Sequence, residues 1–444
     1  MNASICDLAE GPARQARELP SMYGAVDFAS APERFTIDPD AETGLAPYHR
    51  GERQRLLADT ETVALVRAYT MTGDAAADAY AALIPTLGFH QLVLLLDEAR
   101  DKGAAAVSGA PAELVRLIED MERFPDWLDK RLVDEGARLE RNAYAHRAPY
   151  AIRGGLLGTF MNKYSALPMA LTGALSNATA ARRVKETASF FTTVVMRGAL
   201  EPGGAGFKAA AKVRLMHALV RFNVLRSGDQ WDSRVYGVPI PQIDQLPAGL
   251  ISVPILARRA LRRPGKAFTP AERARVELAR CRCWLLGLPR ALLPETPQAI
   301  VDLLATRRAT QRKGFDETCA GLVRATLEAD LTEDHSFAGD VHAWLERGFT
   351  KASFVAGALQ GDRRAAAAAG VRLTLADALG AAAASALIVL RMAPYALAAR
   401  IPALRDVADR ALVRAIAGQL ASYGHAEFTT DARLYRPTTA AVAH

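Results

Sequence analysis

Six residues, Glu201-Pro202-Gly203-Gly204-Ala205-Gly206, interrupt an otherwise helical stretch from Ala181 to Leu225 and constrain how it can fold. Proline lacks a backbone N–H and glycine loses most freedom on ordering, so the break cannot continue a helix and favours a reversal. Downstream, Phe207 to Phe222 is built of good helix formers, and Val213, Met216, Val220 and Val224 recur near the helical period. Arg214, His217 and Arg221 stand at i, i+3 and i+7 and therefore share one face. Upstream, Thr179 to Leu200 reads as a helix with Arg183, Thr187, Phe190 or Phe191, and Val194 along one side. If the two segments fold back on each other, Thr187 and His217 lie about 20 and about 15 Å from the turn, at similar heights. Directly packed helices sit only about 8–10 Å apart, so a planar cofactor between them requires the pair to splay.

A histidine on a helix is usually a surface or core residue with a satisfied hydrogen bond. Its company here points further. Two arginines beside apolar positions are costly to bury unless they meet anions. Haem carries an iron that takes imidazole and two propionates that take arginine, so one face supplying both suits a haem site.

The Arg214-x-x-His217-x-x-x-Arg221 helix resembles the haem-ligating helix of the latex-clearing protein family and the wider group of MpaB-like oxygenases. The resemblance continues through Trp231-Asp232, Tyr236-Gly237-Val238-Pro239-Ile240-Pro241-Gln242-Ile243-Asp244 and Thr269-Pro270-Ala271-Glu272. Trp284-Leu285-Leu286-Gly287-Leu288-Pro289 and Leu293-Pro294-Glu295-Thr296 follow, and Tyr164-Ser165-Ala166-Leu167-Pro168 and Arg183-x-x-x-Thr187 fit upstream. Together these span about Glu140 to Thr310, with weaker similarity at both ends.

By that resemblance His217 is the proximal iron ligand of non-covalent haem b, its second ring nitrogen donating to a carbonyl or carboxylate. Arg214 and Arg221 orient the haem or neutralise its propionates, and Arg183 and Thr187 match residues on the distal, catalytic side. No Cys-x-x-Cys-His is present for covalent attachment. The departures matter too. Rubber-cleaving members have a lysine directly before the threonine, where this chain has Glu186, with Lys185 one place earlier and rotated about 100° around the helix. They also carry a glutamate about twenty residues upstream, proposed as the base, whereas no Asp or Glu stands between Glu140 and Glu186 here. Glu186 could replace that base only by turning inward; the expectation is that it faces solvent and contributes little.

The rest of the chain supports a helical fold. Half of the 444 residues are apolar, alanine runs occupy 365–369 and 381–384, and β-alternating stretches are scarce. The expected class is all-α: a single large helical bundle, globin-like only in enclosing a haem pocket. Residues 1–50 are expected as an extended arm, 51–428 as the helical haem-binding oxygenase-like domain, and 429–444 as a loose tail. Helices are expected at Thr60–Thr70, Asp74–Ile84, Gly88–Arg100 and Ala112–Arg123, and about six more from Pro270 to about Ser422. Gly228 to Leu250 reads as loop.

The net charge of +7 is spread over helix faces without interleaved aromatics, which argues against nucleic acid as a partner. Cys6, Cys281, Cys283 and Cys319 form no disulfide framework or zinc spacing and suit a reducing compartment. His90 reads as a core or boundary residue, and His146 carries no assigned role. The opening residues lack a basic start and an apolar run, so no export signal is read and the expected location is cytoplasmic. Tyr164–Ala181 holds eighteen uncharged residues, but Ser165, Pro168, Thr172, Ser176, Asn177 and Thr179 fit a buried helix pair lining a pocket better than a membrane span. Leu379 to Leu390 is too short to span. No transmembrane helix is expected, and peripheral membrane contact and oligomeric state stay open.

The leading expectation is a haem b oxygenase using O₂ on an apolar, alkene-bearing, isoprenoid-like substrate, with oxidative cleavage of the double bond as one outcome. In that reading the helices around Tyr164–Leu175 form the channel, and Arg183 and Thr187 polarise oxygen. The alternatives are a haem-dependent tailoring oxidoreductase, peroxidase or dehydratase on a smaller metabolite, and a non-catalytic haem binder.

Overall fold

The computed structural model describes residues 5–45, 50–172, 179–332 and 334–424. It is all-α: among the described residues the only β pairing is two isolated bridges, Phe35 with Gln311 and Thr43 with Arg312. The chain forms two compact units. Among the described residues, the first takes those up to Val133 together with Leu200–Gly314, and the second takes Asp134–Ala199 and Phe315–Gly424. The Glu201–Gly206 break thus stands where the chain passes from one unit to the other.

In the first unit the helices Ala75–Ala81, Ile84–Lys102, Ala112–Glu122 and Ala205–Leu225 pack through fully buried Tyr80, Leu92, Leu96, Leu114, Leu117, Ile118 and Phe207. Burying each such side chain stabilises by roughly 1.5–3 kcal/mol. Asp59 and Asp74 cap the helices Thr60–Thr70 and Ala75–Ala81 by accepting from the backbone N–H of Thr62 and Ala77. Positive-φ Gly88 breaks the helical run after Leu87, where the sequence placed a boundary. The expected extended arm is a helix from Ile5 to Glu18, seated on Thr60–Thr70. Gln15 locks it there, its amide donating to the Met71 carbonyl at 2.9 Å and accepting from the Gly73 N–H at 2.8 Å. The expected loop after Gly228 includes a second helix, Gln242–Gly249. The tail 429–444 and Asn177 and Ser176 of the uncharged run lie outside the described residues.

The second unit is centred on Leu157, Phe160, Ala166, Ala180, Val323, Phe354 and Ala369. Buried Arg153 donates to the carbonyls of Leu327 and Ala329 at 2.9 Å and pairs with Glu346 at 3.0 Å, tying three helical segments. Tyr164, Ala166 and Leu171 are buried, as expected of a buried helix in this stretch. The helix expected to reach Leu200 ends at Thr193. Six consecutive aromatic or β-branched residues, Phe190 to Val195, lower its helix propensity, and Gly198 adopts φ +64° just beyond. Arg141 then holds the departing chain by donating to the Val195 carbonyl at 2.8 Å.

From Pro270 to Ser422 there are seven α-helices, the additional one being Arg363–Ala368, capped by Asp362. The run Leu379–Leu390 is also longer than the sequence suggested. It belongs to a 24-residue helix, Leu375–Ala398, which is long and apolar enough to cross a membrane by length and composition. Cys281, Cys283 and Cys319 are buried free thiols, and burial pushes Cys283 up to about 12.

Candidate functional site

The helix Ala205–Leu225 is buried on nearly every side. Between Ala210 and Phe222, His217 is the one residue that is not buried. Burial without an amphipathic stripe means that the arginines cannot be surface groups, and the structure gives each a carboxylate. Arg214 forks onto Asp74 with Nε–Oδ2 2.7 Å and Nη2–Oδ1 2.8 Å, and its Nη1 reaches Asp120 at 3.0 Å. Arg221 donates from Nε to Asp78 Oδ1 at 2.9 Å and from Nη1 to the carbonyls of Pro239 and Ile240 at 3.1 and 2.6 Å. Tyr23 completes the second pair, its hydroxyl donating to Asp78 Oδ2 at 2.5 Å.

The carboxylate partners of Arg214 are thus Asp74 and Asp120, and that of Arg221 is Asp78. Their charge is balanced by the protein's own aspartates, because a guanidinium buried this deeply needs a fixed partner. What they can do for a cofactor is fix the helix that carries His217. Asp74 and Asp78 are one turn apart on Ala75–Ala81 and its cap, and Arg214 and Arg221 two turns apart on the histidine helix, so two rungs set its rotation and its sliding. Burial works against charge in both arginines, but Asp74 for Arg214 and Asp78 for Arg221 more than offset it, so both pKa values stand above the usual value. For Asp78 burial wins over the Arg221 charge and pushes its carboxyl up to about 6.

Two glycines let the rungs close. A Cβ on Gly73 would fall 2.1 Å from the Tyr23 hydroxyl and 2.4 Å from Asp78 Oδ2. One on Gly287, at φ +86°, would fall 2.4 Å from Asp74 Oδ2. The Trp284–Pro289 and Tyr236–Asp244 motifs are therefore walls of the clamp: Gly287 lies over Asp74, and Gln242 donates to the carbonyls of Gly73 and Gly287 at 3.2 and 2.9 Å. Asp244 is held by Arg34 at 2.7 Å and Arg307 at 2.8 Å. The Thr269–Glu272 motif is a capping box whose glutamate also pairs with Arg263.

In the second unit, Arg183, Thr187 and Phe191 form a half-buried row at i, i+4 and i+8 on the helix Ala180–Thr193. Glu186 overturns its expected exposure: its carboxylate is buried, accepting from Arg183 Nη1 at 2.8 Å and Arg182 Nε at 3.1 Å. Flanking arginines one turn back draw it inward, which solvent-facing geometry on an isolated helix would not. The Thr187 hydroxyl donates to the Arg183 carbonyl at 2.9 Å, so its donor is already used and what it presents outward is a lone pair. His146 is half-buried against the Tyr395 ring at 5.1 Å, and burial lowers its pKa.

Among the described residues no three His, Cys, Asp or Glu side chains gather to hold a metal ion by themselves. A single half-buried imidazole on a rigid helix instead suits a group that brings most of its own ligands, as a tetrapyrrole does. The residues present fit haem in that respect. Sequence reasoning missed Asp74 and Asp78, the acids at i, i+4 that meet these arginines.

Residues 143–387 match the family model described as "ER-bound oxygenase mpaB/B'/Rubber oxygenase, catalytic domain". Among solved structures, latex clearing protein LCP in the closed state is similar in fold, with a TM-score of 0.54 and 21% identity over 79% of this chain and 91% of that one. No curated protein sequence matches. The matched segment is more than half of the 444 residues and contains both the Arg183–Thr187 row and the His217 helix, and on that ground the chain belongs to the mpaB and rubber oxygenase catalytic-domain family.

Proposed function

We propose that this oxygenase-family chain is a haem b enzyme that uses O₂ on an apolar, alkene-bearing substrate of isoprenoid type. The observation that carries the reading is His217, the half-buried residue in the buried middle of a helix held by two arginine–aspartate rungs. His217 would hold the iron, and the haem, when bound, would supply oxygen activation. The rungs keep the imidazole at a fixed height and angle, which a ligand needs if its geometry is to be set before the cofactor arrives.

Arg183, whose guanidinium is oriented by Glu186, would stabilise developing negative charge. Thr187 offers an acceptor to a water or substrate proton. The acid-free stretch from Arg141 to Lys185 provides no carboxylate base on the helices before Glu186. Glu186 is engaged by two arginines, one on each carboxylate oxygen. Proton abstraction by a carboxylate in that stretch is therefore not part of this proposal, and cleavage of polyisoprene by such a route is expected to be weak.

Haem loading followed by Soret absorption and O₂ consumption with short isoprenoid alkenes tests the reading. A Soret band with alkene-dependent O₂ uptake and carbonyl products is expected. No Soret band after loading removes the cofactor assignment, and a Soret band with no O₂ uptake on any alkene leaves a haem binder and removes the reaction.

A further inference from the structure

The helix Leu375–Ala398 carries a second surface unrelated to the His217 and Arg183 residues. Its inner side is fixed to the helix Phe337–Gly357. Gly380, Ala384 and Ile388 are buried there, and Lys351 pairs with Asp377 at 3.0 Å. A Cβ on Gly348 would lie 2.7 Å from the Asp377 carbonyl oxygen, and one on Gly380 3.1 Å from Trp344, so the two backbones touch.

Among the described residues, the outer side is left uncovered. Leu375, Leu379, Ala386, Val389, Leu390 and Leu397 fall within an arc of about 100° and are exposed, Leu375 at 78% and Leu390 at 71%. Apart from Arg391 there is no charged residue from Ala378 to Ala399, giving an apolar stripe about 36 Å long. Isolated exposed leucines are ordinary, but a continuous stripe of this length is not. It runs on into exposed Ile401, Leu404 and Val407 at the turn and start of the helix Pro402–Ser422.

Charge decides the occupant. Arg400, Arg405, Arg410 and Arg414 are exposed after the stripe, and Asp406 is the one exposed acid of that helix, because Asp409 is buried against Arg141 and Arg197. Two copies set face to face would oppose two arginine rows with almost no acid between them. A layer of anionic headgroups would instead supply the missing charge while the acyl boundary takes the leucines. A spanning arrangement would strip the helix from Gly348 and Trp344 and bury Arg391 in hydrocarbon. We propose that the outer face of Leu375–Ala398, with the arginine-bearing turn after it, lies in the plane of an anionic lipid bilayer and docks the chain peripherally there. The family match ends at residue 387, before Val389, Leu390, Leu397 and the four arginines, so this device belongs to the chain's own C-terminal part.

Flotation of the full chain with phosphatidylcholine vesicles, and with phosphatidylcholine mixed with phosphatidylglycerol, tests the proposal without reference to haem. Flotation is expected with the mixed vesicles, much weaker with phosphatidylcholine alone, and decreasing as salt is raised. Leu390→Glu combined with Leu397→Glu should abolish it with an unchanged helical circular dichroism spectrum, while Leu397→Phe retains it. Arg400→Gln and Arg405→Gln should each weaken partition about fivefold. Absence of flotation, or equal flotation of the double glutamate variant, overturns the proposal. So does light scattering that shows a dimer dissociated by Leu390→Glu in a chain that does not float. Flotation that emerges only after deletion of residues 429–444 likewise overturns it, since the face would then belong to that segment.

Discussion

The histidine helix and the helix Ala180–Thr193 both carry paired arginines, but they pair in opposite ways. On the histidine helix the partners come from far along the chain, Asp74 for Arg214 and Asp78 for Arg221, and both rungs are dry. On the other helix the partner is local, Glu186 three residues from Arg183 and four from Arg182. A long-range buried pair cannot form until the tertiary fold does, so it specifies how two helices meet. A local pair forms with its own helix and only orients a side chain. The first arrangement sets where His217 stands, and the second sets what Arg183 can reach.

The largest expected effect comes from breaking a dry rung. Asp78→Ala leaves the Arg221 guanidinium buried with two carbonyls and no anion, which should destabilise the fold by about 3–5 kcal/mol in urea unfolding followed by circular dichroism. Asp78→Leu combined with Arg221→Met should recover much of that loss, because no charge remains to bury. A double variant no better than the single one would mean that the rung contributes stability outright, and the contrast with the local pair would then be one of strength alone.

Glu186→Gln should act less on stability and more on the reaction. It weakens a charged contact to Arg183 worth roughly 1.5–3 kcal/mol, so turnover of the haem-loaded enzyme should fall about tenfold or more with haem content unchanged. Arg183→Met should fall at least as far. Full turnover in Glu186→Gln would show that Arg183 needs no orienting partner.

Thr187→Val should be milder than either. Its hydroxyl already donates to the Arg183 carbonyl, and loss of that bond on a half-buried helix costs about 0.5–1.5 kcal/mol. Turnover lost more severely than in Arg183→Met would move the reacting oxygen to Thr187.

Much of this was legible before any coordinates, and what was not has a physical pattern. The Asp59 cap of Thr60–Thr70 and the apolar period of Ala112–Glu122 are local properties, and the sequence reading located both helices closely. The all-α class followed for the same reason. The carboxylate partners of Arg214 and Arg221 were not legible because they stand 140 and 143 residues away. Spacing on one helix shows a shared face but not what packs on it. Glu186 was misplaced for a related reason: rotation around a helix is legible, while the side from which the rest of the unit approaches is not. The Leu375–Ala398 helix was read as short because hydropathy stops at Arg391, although an arginine does not end a helix.

The smallest effect concerns pH. Asp78 titrates near 6 in the folded chain, above the usual aspartate value of 3.8, so the folded state takes up this proton first. By linkage, this group stabilises the fold increasingly as pH falls from about 6 to about 4. Wild type should therefore gain in unfolding midpoint relative to Asp78→Asn as pH is lowered through that window. A difference that shrinks on acidification would mean that Arg221 holds the carboxyl below its ordinary value.

The central claim is that His217, half-buried on a clamped helix, is where the cofactor attaches. Haem titration of wild type, His217→Ala, His90→Ala and His146→Ala, read by Soret absorption and acid–solvent extraction, tests it directly. One extractable haem per chain is expected in wild type and in the His90 and His146 variants, with collapse in His217→Ala alone. Equal haem in all four would contradict the assignment and place the ligand elsewhere.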